Sequence, residues 1–282
     1  MPAKIIDGKK VAKEIRKRIK AEIQQLDFRP GLAVFLIGQD KPSHLYVSLK
    51  EKACKEIGID FHKYMIDEDV SEEEIINSIH FINQDNEVDA ILVQVPVPEK
   101  FDQKKIIETV NPDKDVDGFH PITVERFLSG QDDFMPGLAQ GIVRLVEETG
   151  EEVKGKSAVV AVKSEIFYRP IEKLLSQNGI KVEHVQPEDK DFIKKTRTAD
   201  ILITVMGKPH FIKADMIKKD AIIIDVGITK QGKKTLGDVD YDDVADKAAY
   251  ITPVPGGVGP VTVAMLLENT LKLAKKHRGL KT

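Results

Sequence analysis

The sequence has a single cysteine, no long hydrophobic run and no excess of basic charge. Cys54 has no second cysteine to pair with, and the N-terminus shows no secretory signal pattern, so we expect a cytoplasmic protein. No apolar stretch approaches the roughly 18 residues that cross a bilayer, because even residues 90–97 are interrupted by Gln94 and Pro96. The formal net charge of -3 argues against a nucleic-acid-binding protein. We therefore expect a protein that binds small molecules and does not span a membrane.

The length and the apolar pattern predict two α/β domains. At 282 residues, 41% of them hydrophobic, the chain exceeds the size at which one core usually stops growing. Short apolar runs alternate with helical patterns, which is typical of parallel sheets flanked by helices. Strands are predicted at residues 33–37, 90–95, 158–162, 201–205 and 221–226. Helices are predicted at residues 8–26, 43–57, 71–83, 141–149, 169–178 and 261–276.

Two irregular segments indicate where the domains meet along the chain. Residues 129–133 are polar and contain glycine, so the helical pattern breaks there. Residues 252–260 are too rich in proline and glycine for regular structure, yet they lead into an apolar helix. Such a stiff loop would return the last helix to the first domain. We therefore expect one domain of residues 1–123 plus 254–282 and a second of residues 124–253.

A lysine interrupts the apolar face of the second predicted helix. Tyr46, Lys50, Ala53 and Ile57 follow helical spacing, so they share one face with Lys50 in its middle. One interpretation is that Lys50 extends its ammonium group to water while its stem covers apolar surface. The other is that partial burial lowers the pKa of Lys50, which would let it exchange protons near neutral pH. Tyr46, one turn earlier, is suited to stacking on a flat ligand and to hydrogen bonding with Lys50.

Two further polar segments stand out. Gln94 lies near the carboxyl end of the strand at residues 90–95, where open α/β sheets bind ligands, although a buried amide bonded to a neighbouring loop is a common alternative. Residues 111–121 combine three carboxylates with turn-forming residues. Counted from Asp113, they match the first half of a calcium loop, but Val124 stands where a bidentate glutamate is needed. We therefore predict no metal site.

Taken together, these segments resemble the bifunctional methylenetetrahydrofolate dehydrogenase/cyclohydrolase family. The resemblance covers nearly the whole chain and is carried in the family's order by Tyr46-Val-Ser-Leu-Lys50, Val93-Gln94-Val-Pro96-Val-Pro98, Lys114-Asp115-Val116-Asp117-Gly118-Phe119, and residues 207–209, 224–228, 237–240 and 252–262. It implies a folate domain, a second Rossmann-like domain, a cleft between them and a homodimer.

The resemblance also implies roles for individual residues. Lys50 would be the principal acid/base residue, Gln94 would tune and position it, and Tyr46 would stack on the folate. Asp117 would hold the pterin, because an ionised carboxylate accepts two parallel hydrogen bonds. Gly256, Gly257 and Pro260 would belong to a loop that closes over the substrate. Hydrolysis of 5,10-methenyltetrahydrofolate to 10-formyltetrahydrofolate would require no cofactor.

The segment expected to bind NADP departs from the family. Family members have a Gly-Arg-Ser-x-x-Val-Gly-x-Pro turn, which lets the dinucleotide approach the backbone at a helix N-terminus. Here both glycines are replaced, by Val162 and Tyr168, and Glu165 adds negative charge. The remaining candidates for cofactor binding are Val162, Lys163, Ser164 and Ile228. Residues 136–139 and 186–189 also depart from the family at cofactor-facing positions.

The sequence thus leads to one hypothesis and two alternatives. Our hypothesis is a methenyltetrahydrofolate cyclohydrolase that has lost hydride transfer. The first alternative is the fully bifunctional enzyme, which also oxidises 5,10-methylenetetrahydrofolate with NADP. The second is a non-catalytic folate-binding or partner-binding protein.

Overall fold

The computed structural model describes residues 2–131, 134–232 and 234–281. Within them the chain forms two compact units, one of residues 1–13 and 138–262 and the other of residues 14–137 and 263–282. We call the first the six-stranded unit and the second the three-stranded unit, after their sheets. The described elements include no helix long and apolar enough to cross a membrane.

The three-stranded unit is built on a parallel sheet with strand order β3-β2-β4. Every residue of the central strand β2 is buried, because helices such as α2 and α3 supply apolar side chains to the sheet. The strands of this unit are β2 (Gly31–Ile37), β3 (Asp60–Ile66) and β4 (Ala90–Val93). Its helices are α2 (Lys41–Ile57), α3 (Glu72–Asn83), α4 (Gln103–Thr109) and α5 (Pro121–Ser129).

The six-stranded unit has a parallel sheet with strand order β1-β11-β8-β7-β5-β6 and a small antiparallel hairpin, β9-β10. The sheet strands are β1 (Lys4–Ile5), β5 (Ser157–Val162), β6 (Lys181–Val185), β7 (Ile201–Val205), β8 (Ile222–Asp225) and β11 (Tyr250–Ile251). The hairpin strands are β9 (Thr229–Gln231) and β10 (Lys234–Leu236). Its helices are α7 (Glu165–Gln177), α8 (Phe192–Thr196) and α9 (Tyr241–Val244), with a 3-10 turn at Ala214–Met216.

Three helices lie at the boundaries between the units. These are α1 (Gly8–Ile23), α6 (Gly137–Glu147) and α10 (Val258–His277). The unit boundary falls inside α1 and α10 and directly after the first residue of α6. Thus all three connections between the units involve helical residues.

The prediction of two α/β units with mainly parallel sheets flanked by helices is confirmed. The units differ in extent from the expected domains of residues 1–123 plus 254–282 and 124–253. The first residues join the six-stranded unit because Lys4 and Ile5 of β1 pair with Tyr250 and Ile251 of β11. The break falls at residue 137 rather than 123, since α5 packs into the three-stranded unit.

Candidate active site

Lys50 is held by a well-capped helix of the three-stranded unit. The carboxylate of Asp40 caps α2 by accepting the N–H of Ser43 at 2.8 Å, and Gly58 ends the helix at a φ of 94°. This fixes the helical register that turns Lys50 towards the end of β4. There its Nζ donates to Gln94 Oε1 at 2.9 Å.

The Gln94 amide is oriented by the chain around it. Gln94 directly follows the last residue of β4, its backbone N–H donates to the carbonyl of Phe35 at 2.8 Å, and its Nε2 donates to the carbonyl of Val95 at 2.7 Å. Because the NH₂ group is committed to that carbonyl, the amide oxygen is the atom presented to Lys50. Gln94 is only 8% exposed, so this arrangement is shielded from water.

Lys50 and Asp117 influence each other's ionisation. Burial lowers the pKa of Lys50, and the negative charge of Asp117 partly opposes that shift. Burial raises the pKa of Asp117 to about 6, although the Lys50 ammonium opposes the rise. Both groups therefore titrate closer to neutral pH than they would in water, which is the range in which proton transfer is efficient.

Asp117 lies on a turn organised by its neighbour Asp115. The buried Asp115 carboxylate accepts the backbone N–H groups of Gly118 at 3.0 Å and His120 at 2.9 Å. Asp115 also forms a parallel bridge with Ile91 of β4. The turn is thereby fixed beside the same strand that positions Gln94.

Tyr46 and Cys54 flank Lys50 at one helical turn in either direction. Tyr46 is half-buried, which raises the pKa of its hydroxyl, and within the described part of the chain that hydroxyl forms no hydrogen bond to Lys50. Cys54 is fully buried, and this raises the pKa of its thiol to about 12. The thiol therefore stays protonated at neutral pH and acts as an apolar neighbour of Lys50.

The other predicted substrate-binding residues, Gly256, Gly257 and Pro260, belong to the six-stranded unit. Gly256 has a φ of +117°, and a side chain on Gly257 would approach within 2.7 Å of the Pro253 carbonyl oxygen. Glycine is thus required at both positions by the path of the backbone. The structure brings together Lys50, Gln94 and Asp117 within one unit, while this loop is part of the other.

Two buried carboxylates shape the loops that follow β7 and β8. Asp225 accepts the N–H groups of Gly227 at 2.9 Å and of Asp238 at 3.0 Å. Asp238 in turn accepts those of Met206 and Lys208, both at 2.7 Å. These bonds fix the loops at the carboxyl ends of the parallel strands, where α/β sheets of this type bind ligands. Ile228, a predicted cofactor-binding residue, directly follows Gly227 and is 43% exposed.

The turn between β5 and α7 contains the remaining predicted cofactor-binding residues. Val162, which replaces the first glycine of the family's turn, is the buried last residue of β5 and pairs with Val205, so its β-branched side chain lies in the strand and not in the turn. The chain then needs only Lys163 and Ser164 to reach the first residue of α7, Glu165. A strand, a short turn and the N-terminus of a 13-residue helix follow one another here, which is the order of elements that binds phosphate groups in nucleotide-binding domains.

Tyr168 packs against the neighbouring edge strand. Its ring stacks on His184 of β6 with a centroid distance of 4.5 Å and an interplanar angle of 21°. His184 Nε2 also lies 2.8 Å from the carbonyl oxygen of Val162. In nucleotide-binding turns of this kind the third glycine allows close packing of helix on strand. Here the Tyr168 ring stacks on His184 at the corresponding position, and the negative charge of Glu165, which is favourable for the helix N-terminus itself, would oppose a phosphate there.

The sequence analysis did not single out the residues that hold the Asp117 turn in place. Asp115 was noted only as one of three loop carboxylates, and Asn269, which contacts residues beside Asp117, was not singled out. The signal for Asp115 was its place two residues before Asp117 in a turn-forming segment. Asn269 carried the weaker signal of a polar residue inside an apolar helix.

The fold and these sites together define a class of protein. One unit has a parallel six-stranded sheet with a strand–turn–helix segment, and the other α/β unit holds a desolvated lysine. This combination is that of a two-domain α/β enzyme with a nucleotide-binding type of domain.

The comparisons with known proteins identify the family. Residues 6–117 match the tetrahydrofolate dehydrogenase/cyclohydrolase catalytic domain, and residues 136–278 match the NAD(P)-binding domain of the same enzymes. The chain belongs to the tetrahydrofolate dehydrogenase/cyclohydrolase family.

Relatives match along their whole length. The bifunctional protein FolD of Nitratiruptor sp. is 45% identical over 278 residues, which is 97% of this chain and 99% of the relative. The crystal structure of the bifunctional FolD enzyme from Campylobacter jejuni superposes with a TM-score of 0.92 at 39% identity, covering 97% of this chain and 99% of that one. The FolD enzyme of Trypanosoma brucei, solved with NADP and an inhibitor, gives a TM-score of 0.93 at 33% identity over 98% of both chains.

Proposed function

We propose that this protein hydrolyses 5,10-methenyltetrahydrofolate to 10-formyltetrahydrofolate with Lys50 as the acid/base residue. The observation that carries the proposal is the 2.9 Å hydrogen bond from the Lys50 ammonium to Gln94, in a partly dry environment beside Asp117. The family match supports the same activity.

The reaction requires proton transfer at two steps. Water adds to the cationic carbon between two nitrogens, and the neutral amine of Lys50 takes a proton from that water. The resulting ammonium then protonates the departing ring nitrogen as the C–N bond breaks and the formyl C=O forms, with one proton released overall. The lowered pKa of Lys50 makes its neutral form accessible, and Gln94 directs the amine.

Asp117 is proposed to bind the pterin. Its ionised carboxylate would accept the N–H groups of the ring and its amino substituent as two parallel hydrogen bonds. Tyr46 is proposed to stack on the folate ring system, and Gly256, Gly257 and Pro260 to contact it from the loop before α10.

Replacing Lys50 by methionine tests the hydrolase. We expect Lys50→Met to reduce kcat by at least about 100-fold, since general acid/base groups typically contribute 100- to 10,000-fold. The measurement is loss of the methenyl absorbance, with Lys52→Met as the matched control. If the wild-type protein accelerates decay no more than Lys50→Met does, the non-catalytic folate-binding alternative is the correct one.

A second activity, oxidation of 5,10-methylenetetrahydrofolate, is favoured by the relatives. Chains 43–45% identical over 97–100% of this one carry the name bifunctional protein FolD, and a 33% identical relative was solved with NADP. These likenesses favour the bifunctional enzyme over a cyclohydrolase alone and give no support to the expected loss of hydride transfer. NADP would supply the hydride acceptor. In this chain Lys163, Ser164 and the N-terminus of α7 are proposed to hold its diphosphate, with Ile228 near the same edge of the sheet.

The dehydrogenase assay decides between the bifunctional enzyme and the hydrolase alone. Reduced nicotinamide is followed by absorbance after mixing the protein with methylenetetrahydrofolate and NADP, with NAD in a parallel reaction. Turnover with either nucleotide supports the bifunctional enzyme. Hydrolysis without turnover, together with undetectable NADP binding in calorimetry, supports the hydrolase alone.

The assembly and location are also proposals. The family resemblance suggests a homodimer, which sedimentation would detect as twice the monomer mass of 31.5 kDa. The single buried cysteine suits a reducing, cytoplasmic environment, which cell fractionation would test.

A further inference from the structure

Asn269 connects the turn bearing Asp117 to the last helix. It lies on α10 within the three-stranded unit and is completely buried. Its Nδ2 donates to the carbonyl of Val116 at 3.3 Å and to the carbonyl of Met135 at 3.0 Å. Val116 is the residue before Asp117, so one amide group joins the pterin-binding turn to two other parts of the unit.

The same segments are packed closely around this amide. A side chain at Gly118 would come within 3.0 Å of Pro136, and one at Gly137 would lie 3.8 Å from Asn269 Nδ2. The turn at residues 117–118 is therefore confined between the Asp115 carboxylate on one side and the Asn269 amide on the other. A shift of the Val116 carbonyl would carry Asp117 with it.

The amide oxygen of Asn269 is in an energetically unfavourable environment. Its Oδ1 is buried and is among the described side-chain atoms without a hydrogen-bond partner. A buried acceptor left unpaired is unfavourable, so packing alone would favour an apolar residue at this position. The two donors of the NH₂ group are what an apolar residue could not replace, because Val116 and Met135 would then lose their partner.

We propose that Asn269 is a positioning residue, which holds the Asp117 carboxylate in the geometry that binds the pterin. This inference rests on the proposed function, in which Asp117 contacts the substrate. Among the described residues, the Asn269 side chain donates to Val116 and Met135 and forms no hydrogen bond to Lys50, so its effect would reach the reaction through the backbone at Val116.

The experiment compares Asn269→Leu with Thr270→Val. Thr270 is the next residue, is equally buried, and loses only a bond within its own helix, from its Oγ1 to the Leu266 carbonyl at 2.8 Å. We expect Asn269→Leu to raise KM for methenyltetrahydrofolate about tenfold with kcat changed less than threefold. Thr270→Val should lower Tm but leave KM within twofold of wild type.

A double-mutant cycle separates positioning from a general loss of stability. If Asn269 acts through Asp117, then Asn269→Leu should add no further rise in KM in an Asp117→Ala background. Additive effects in the cycle, or an unchanged KM in a folded Asn269→Leu protein, would overturn the inference. Should Asn269→Leu fail to fold, Asn269→Ser keeps one donor and should give an intermediate KM, whereas a wild-type KM in that variant would count equally against the inference.

The cycle also tells this inference apart from the proposed function. If Asp117→Ala leaves KM unchanged, the assignment of the pterin-binding carboxylate fails. If Asp117→Ala raises KM while the Asn269 variants do not, only the positioning role fails.

Discussion

At the scale of single residues, the site depends on two charged groups that burial brings towards neutral pH from opposite directions. Burial lowers the pKa of Lys50 and raises that of Asp117 to about 6, and each charge restrains the shift of the other. Because the two groups are coupled, changing either one moves the titration of its partner. Because of this coupling, the direction in which the pH profile of hydrolysis moves can be predicted for each variant.

Removing the charge of Asp117 should move the acidic limb of kcat/KM to lower pH. In the wild type we expect activity to fall at acidic pH both because Lys50 becomes protonated and because Asp117, whose pKa burial raises to about 6, loses its acceptor character. In Asp117→Asn the contribution of Asp117 to that limb is absent, and Lys50 loses the charge that supports its ammonium, so the pKa of Lys50 falls further and the remaining limb lies at lower pH. We expect a lower plateau and a limb displaced to lower pH, measured in the methenyl assay from pH 5 to 9.

Asp113→Asn is the matched control for that measurement. Asp113 is an exposed carboxylate of the same loop, paired with Arg126 at 2.7 Å. Its removal should leave the limb in place. A limb at the same pH in Asp117→Asn and wild type would contradict the proposed coupling.

The Gln94→Glu substitution should move the limb in the opposite direction. A carboxylate 2.9 Å from the Lys50 ammonium stabilises the protonated form, so the pKa of Lys50 rises and less neutral amine remains at pH 7. We expect kcat at pH 7 to fall at least about tenfold and to recover partly at pH 9. A loss that is equal at all pH values would indicate that Gln94 acts by packing and not through the ionisation of Lys50.

At the scale of secondary structure elements, the N-terminus of α7 is where the proposed diphosphate site can be tested. The helix presents its positive end at Glu165, whose carboxylate is 69% exposed and opposes a phosphate there. We expect Glu165→Gln to strengthen NADP binding by about threefold to tenfold in calorimetry at low salt, with a smaller gain at high salt.

Glu172→Gln serves as the control on the same helix. It removes an equal charge two turns further along α7, so it should change the NADP affinity much less. Equal gains from both variants would indicate a general charge effect, and a weaker affinity in Glu165→Gln would contradict phosphate binding at this helix end.

The sequence predicted the strands that are buried on both faces and missed those that are partly exposed. The runs of continuous apolar residues became β2, β4, β5, β7 and β8, because strands buried on both faces leave an unambiguous pattern. The edge strands β3 and β6 were not predicted, since their alternating exposure mixes polar and apolar residues. The short β1 and β11 have two residues each, and only pairing between distant parts of the chain defines them.

Some residues of the candidate site could likewise be predicted from the sequence, and others could not. Lys50 could be selected from the apolar face that it interrupts, and Gln94 from its place at the end of a strand. The roles of Asp115 and Asn269 depend on contacts with residues such as Gly118 and Val116, and for Asn269 the partner is 153 residues away. No local sequence pattern predicts a contact between residues so far apart in the chain.

At the scale of the whole molecule, the connections between the units are helical. The boundary inside α1 lies between Lys13 and Glu14, and that inside α10 between Thr262 and Val263. A continuous helix cannot unfold on one side of a boundary without losing hydrogen bonds on the other, so we expect the two units to open together. This can be measured by hydrogen exchange as equal opening free energies for the slowest amides of β2 and β7.

A proline at the boundary should uncouple that opening. Lys13 is exposed, so Lys13→Pro removes one helical hydrogen bond and distorts α1 without deleting a core side chain, at a cost of about 3 kcal/mol. We expect the opening free energies of β2 and β7 to separate by more than 1 kcal/mol in this variant. Lys20→Pro is the control, because Lys20 is an exposed residue of the same helix that lies within the three-stranded unit and not at the boundary. This variant should lower the opening free energies of β2 and β7 together, so that the two stay equal as in the wild type. If β2 and β7 already differ in the wild-type protein, the helices do not couple the units, and each unit folds on the strength of its own sheet.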